Sequence, residues 1–125
     1  MANAGQRFEV WSWSPDGRQL AGRVRAAPGN YVGLATYHFA AQKFDRLTDS
    51  GNAPVWLQDS RRLIFDHQGK LYLLDSQTRK SREILAVPPH FASGAALSRD
   101  DRLIYFLHTA TEADIWLLSL DGDRK

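Results

Sequence analysis

Trp13-Ser14-Pro15-Asp16-Gly17-Arg18-Gln19-Leu20 returns twice, in altered form, further along the chain. The second copy is Trp56-Leu57-Gln58-Asp59-Ser60-Arg61-Arg62-Leu63. The third is Leu97-Ser98-Arg99-Asp100-Asp101-Arg102-Leu103-Ile104. Asp16, Asp59 and Asp100 coincide in this alignment, as do Arg18, Arg61 and Arg102. The spacings are 43 and 41 residues, within the range of repeats that each form one four-stranded propeller blade.

Working outward, every repeat reads as short strands rich in Val, Ile, Leu, Tyr, Phe and Trp, punctuated by Gly, Pro, Asn, Asp or Ser. An inner strand A leads into the Asp-containing turn (residues 9–14, 54–57 and 94–98). Strand B follows at 19–25, 63–66 and 103–108, and strand C at 31–37, 71–75 and 115–120. Strand D is read at 44–47 and 82–85, and the third repeat has none. A helix competes only over 71–78, where no cap supports it. The expected fold is all-β: a partial β-propeller of about three four-stranded antiparallel blades, the last incomplete. One domain over 1–125 holds blade one at about 8–48, blade two at about 53–86 and blade three at about 94–120.

Composition agrees. The 125 residues are 43% hydrophobic and 24% charged, which disfavours disorder, collagen and coiled coil. With no cysteine, disulfides, thiolate metal sites and a cysteine nucleophile are excluded. The apolar runs are too short to span a membrane, and residues 1–6 have no secretory-signal pattern. A net charge of +2 is too small an imbalance to indicate nucleic-acid binding.

Ser14-Pro15-Asp16-Gly17-Arg18 before an apolar strand resembles the TolB-like, WD-repeat-like propeller repeat. Phe44-Asp45-Arg46-Leu47-Thr48 before a Gly/Asn turn resembles it too. Residues 97–106 and 112–118 resemble the last blade of such propellers. Blade two departs from the pattern, with Gln58 where Pro is usual and Ser60 where Gly is usual. The resemblance implies a bacterial protein, in which such propellers often sit at the C-terminal end of multidomain chains. It also implies a ring of six or more blades, twice what this chain supplies.

Blades pack face to face, so an open arc leaves two faces uncovered. Leu63, Phe65, Leu71, Leu73, Ile104, Phe106, Ile115, Leu117 and the four Trp supply the apolar area. At about 25 cal/mol per Å², one wet face of several hundred Å² forfeits on the order of 10 kcal/mol. A homodimer meeting through blade one and blade three is therefore expected to close a six-bladed ring. Residues Ala4 to Phe8 are candidates for an outer strand on the partner's third blade.

The chemistry is sparse. There is no Gly-x-Ser-x-Gly nucleophile elbow, no phosphate-cradling loop, no EF-hand and no His-Glu-x-x-His. His67, His90 and His108 all fall at the blade end that carries the B–C and D–A loops, with Asp66 and Glu112 beside them. They are the candidate ligands for Zn²⁺ or another divalent transition metal. His38 falls at the opposite end. Trp13, Trp56 and Phe91 are candidates for a ligand-binding rim, although Trp13 and Trp56 also fit inner-strand core. Asp16, Gly17, Asp59 and Asp100 read as structural turn residues, because they recur at one turn position. Arg79, Lys80 and Arg82 with Arg61 and Arg62 read first as a solvated charged face, and otherwise as a basic patch for an anionic partner. The leading reading is a self-associating binding module with its ligand, a protein, peptide or small molecule, at the central mouth. The alternatives are a metal-dependent hydrolase of esters or phosphoesters, and a structural fragment with no specific ligand.

Overall fold

The computed structural model describes residues 7–27, 29–86, 91–109 and 113–119. These residues form eleven strands and no helix. Strands β1 (Arg7–Trp13), β2 (Gln19–Ala27), β3 (Asn30–His38) and β4 (Lys43–Arg46) make the first sheet. The second holds β5 (Asn52–Trp56), β6 (Arg62–His67), β7 (Lys70–Asp75) and β8 (Ser81–Ala86). The third holds β9 (Phe91–Leu97), β10 (Leu103–Thr109) and β11 (Ala113–Ser119). Each sheet is an antiparallel meander in chain order. The result is an unclosed partial propeller of four, four and three strands among the described residues. Residues 71–75 lie in a strand, not a helix. Strands β5 and β9 begin two and three residues earlier than the pattern suggests.

The repeat is also a register. Trp13 pairs with Leu20, Trp56 with Leu63 and Leu97 with Ile104, all at the same repeat position. Closing bonds run from Ser14, Leu57 and Ser98 N–H to the carbonyls of Gln19, Arg62 and Leu103 at 2.8–2.9 Å. The third turn position is left-handed in every copy, with φ of 74° at Gly17, 55° at Ser60 and 61° at Asp101. Ser and Asp are held there against an ordinary preference for φ < 0, since only Gly takes it freely.

Side chains alternate across a strand, and in the second sheet both sets are buried. Leu63, Phe65 and Leu74 pack against Ala21 and Leu34 of the first sheet. Ile64 and Leu71, one residue out of phase, pack against Ala92, Ile104 and Phe106 of the third. The stacked rings of Phe65 and Tyr72, 5.2 Å apart, lie on the first of these joints. Arg23 adds polar links there. It donates to Glu9 at 3.0 Å, to the Tyr31 hydroxyl at 3.0 Å and across the joint to Asn52 Oδ1 at 3.1 Å.

Arg7 and Phe8 are taken up in β1, opposite Arg25 and Val24. They are not available as an outer strand for another blade, and Ala4–Gln6 lie outside the described residues.

Leu34, Leu71 and Ile115 occupy one repeat position, paired with Arg23, Asp66 and Leu107. Leu34→Ala and Leu71→Ala should each cost about 2–5 kcal/mol in urea unfolding, because each leaves a cavity in a joint. Ile115→Ala, measured on dilute single-copy chain, should cost under about 1 kcal/mol.

Candidate functional site

The recurring aspartates shape their turns. Asp16 Oδ1 accepts from the Ser14 hydroxyl at 2.6 Å and from Arg18 N–H at 3.0 Å. Asp100 Oδ1 does the same with Ser98 at 2.8 Å and Arg102 N–H at 3.1 Å. Asp59 Oδ1 takes Arg61 and Arg62 N–H, both at 2.9 Å. The serine hydroxyls hold the Asp16 and Asp100 carboxyls below their usual range, with the backbone donors adding to it. For Asp59 burial pulls upward, but bonds from Arg62 and Arg61 outweigh it and the carboxyl is also lowered. These groups are charged acceptors inside turns, occupied by local donors.

Three of the five basic residues in the candidate patch are paired with carboxylates. Arg61 pairs with Asp75 at 2.9 Å and Arg62 with Asp59 at 2.7 Å. Arg79 pairs with Asp45 of blade one. Between blades one and two, a cleft of about 390 Å³ opens at this turn end, lined by Gln19, His38, Lys43, Asp45, Ser60 and Arg79 among others.

At the other end, His67 and His108 hold the same repeat position on neighbouring blades. His67 ends β6 opposite Lys70, and His108 in β10 is buried opposite Asp114. By strand alternation both point toward the preceding blade, one sheet spacing apart. Facing sheets stand about 10 Å apart, whereas two imidazoles on one Zn²⁺ each lie about 2.0–2.1 Å from it. Asp66 is engaged as well, accepting from Gly94 N–H at 3.0 Å and so tying blade two to blade three. No group of three metal-type side chains stands together among the described residues. His90 and Glu112 lie outside them.

The aromatic candidates part company. Trp56 is 5% exposed and donates its indole N–H to Ser12 O at 3.3 Å, so it belongs to the joint between blades one and two. Trp13, its repeat equivalent, is 60% exposed. The difference is tertiary, since blade one covers Trp56 and no described residue does the same for Trp13. Phe91 opens β9, and its side chain lies outside the described residues.

Trp13 belongs to a wide apolar face on blade one. Its ring stacks on Phe39 at 5.2 Å. Tyr37 lies 5.6 Å from Phe39 and 4.7 Å from Phe44, and Phe8 lies 5.2 Å from Phe44. Blade three carries a second such face at the far end of the arc. Tyr105, Leu107, Ile115 and Leu117 are exposed there, with Tyr105 opposite Leu117 and Leu107 opposite Ile115. Ile115 is 77% exposed, while its equivalents Leu34 and Leu71 are 1% and 0% exposed.

The sequence marked Ile115, Leu117, Trp11 and Trp13 as face residues, and all four are exposed. Leu63, Phe65, Leu71, Ile104 and Phe106, grouped with them, line the internal joints. Phe39, Tyr105 and Leu107 were missed. Carrying the repeat alignment through β10 with period 2 would have found the last two.

No protein-family model matches the chain, and no curated protein matches it in sequence. Solved structures do match. A protein described as TolB from Agrobacterium tumefaciens superposes with a TM-score of 0.80 at 14% identity, over 96% of this chain and 48% of that one. An oligogalacturonate lyase from Vibrio parahaemolyticus gives 0.73 at 12% identity, over 93% and 38%. An oligogalacturonate lyase in complex with manganese gives 0.68 at 17% identity, over 83% and 30%. The chain thus has the fold of a TolB-like propeller segment, and it spans about half the length of the first of these structures.

Two further carboxyls are displaced from their ordinary range. Asp75 is held at about 2, first by the Arg61 guanidinium and, against some burial, by Gln77 and Thr78 N–H. Its stabilisation is present above its ordinary 3.8 and is lost as pH falls toward about 2. In Arg61→Ala the Asp75 carboxyl shift should titrate nearer 3.8, and the loss of stability across that window should flatten.

Asp66 runs the other way. Burial raises its carboxyl, with the Gly94 bond and the His67 and Arg23 charges opposing. Its folded form binds the proton more tightly, so stability falls as pH rises through the window above 3.8. Asp66→Asn keeps an acceptor for Gly94 N–H and removes the charge. Its urea midpoint should match or exceed that of the parent at neutral pH, whereas Asp66→Ala should lower it.

Proposed function

We propose that this chain is a non-enzymatic interaction module whose working surfaces are its two uncovered blade faces. Each face takes a further propeller blade. The ring completed in that way presents a central mouth for a protein, peptide or small ligand. One observation carries the reading. Leu34 and Leu71 are covered by the next blade, and Ile115 at the same repeat position is open to solvent. The face therefore has the chemistry of a blade joint without the blade. Contiguous apolar patches of this kind mark interaction sites.

This reading is preferred to a metal-dependent hydrolase. Support for the hydrolase is the shared end of His67, Asp66 and His108, together with a fold neighbour, an oligogalacturonate lyase, in complex with manganese. Against it, the two described histidines point the same way from adjacent sheets instead of converging.

Hydroxyl-radical footprinting over a protein concentration series tests the proposal, with buried Trp56 as internal reference. Oxidation of Trp13 and of Tyr105 should fall together, severalfold, as concentration rises. Protection of both at every concentration in a chain that stays monomeric would defeat the interaction reading, because the chain itself would then cover its faces.

A further inference from the structure

We infer that the blade taken up is that of a second copy of this chain, and that two copies close one ring about a two-fold axis. The inference rests on the interaction reading above and names its partner.

The two open faces are the two halves of one joint. At each internal joint, the earlier blade presents one set of repeat positions. In blade one these are Ala21, Leu34 and Thr36, and in blade two Ile64, Leu71 and Leu73. The same positions in blade three are Tyr105, Ile115 and Leu117, all exposed. The later blade presents the alternate set. In blade two this is Trp56, Leu63 and Leu74, and in blade three Leu97, Ile104 and Leu118. In blade one it is Trp13, Leu20 and Tyr37, on the face where Trp13 is exposed. One chain therefore carries the receiving half at one end and the inserting half at the other. Blade three of one copy fits blade one of the next.

The length of the matched propeller sets the number of copies. The arc superposes on the Agrobacterium structure over 96% of its own length and 48% of that chain. Two arcs together match about the length of that propeller chain, taken as one circuit. A head-to-tail contact forms a ring when its rotation closes, and here it closes at two, with two identical seams.

The seams differ from the internal joints in one respect. Ser60 Oγ accepts Asp16 N–H at 3.0 Å across the first joint, and Asp101 Oδ2 accepts Gln58 N–H at 2.6 Å across the second. Blade one has Gly17 at the position of Ser60 and Asp101, with no side chain to accept. Apolar contact must hold the seam, and added salt should not dissolve it.

Light scattering on a sizing column, with footprinting on the same samples, tests this. The chain should run at twice its own mass. The double variant Ile115→Asp/Leu117→Asp and the single variant Trp13→Asp should each run as folded monomers. An equimolar mixture of the two should recover a dimer, since one seam then has both native faces. Should Trp13→Asp fail to fold, Phe39→Asp on the same face replaces it. A dimer that survives Trp13→Asp would overturn the head-to-tail seam, and open-ended larger assemblies would overturn the two-fold closure. A parent monomer with reactive faces would sink the second-copy inference alone. A parent monomer with protected faces would sink the interaction reading with it, since its own chain would then cover them.

Discussion

The second sheet is buried on both faces, and the rest of the molecule follows from that. Leu63 and Phe65 point one way from β6 and Ile64 points the other, so one strand feeds two separate cores. A sheet of this kind has no solvent side, and it is stable only between two neighbours. Blades one and three supply those neighbours. Each is itself two-sided, with an apolar outward face. The burial that stabilises the middle of the arc thus creates the need for burial at its ends.

The turns set how the blades stand against one another. A carboxylate accepting N–H bonds just after it, followed by a left-handed residue, fixes where β2, β6 and β10 start relative to the strand before. That is why the three sheets present equivalent residues on equivalent faces. The left-handed residue serves between blades as well. Its side chain in one blade accepts a backbone N–H from the blade before, with Ser60 and Asp101 in that role. The tie is local, polar and small beside the apolar area of the joint, so it orients the blades more than it holds them.

Function on a propeller belongs to faces and rims rather than to the fold as such. Here the charged groups are largely engaged with one another. The aspartates of the turns, Asp75 and Asp66 have donors in place, and Arg61, Arg62 and Arg79 of blade two have carboxylates. The large apolar side chains at the ends of the arc do not have comparable cover. That contrast is what favours the ends as the proposed working surface.

The sequence by itself determined the repeat, the β class and the turn role of Asp16, Asp59 and Asp100, since these depend on spacing and on bonds within a few residues. It also placed His67 and His108 at one end of the blades. Tertiary structure decided which members of a repeat are core and which are surface. Trp13 and Trp56 have the same local setting, as do Leu34, Leu71 and Ile115, and no propensity separates them. Their fates differ because one is covered by a neighbouring blade and the other is not. Burial is a property of the assembled faces, and a residue's own segment does not contain it.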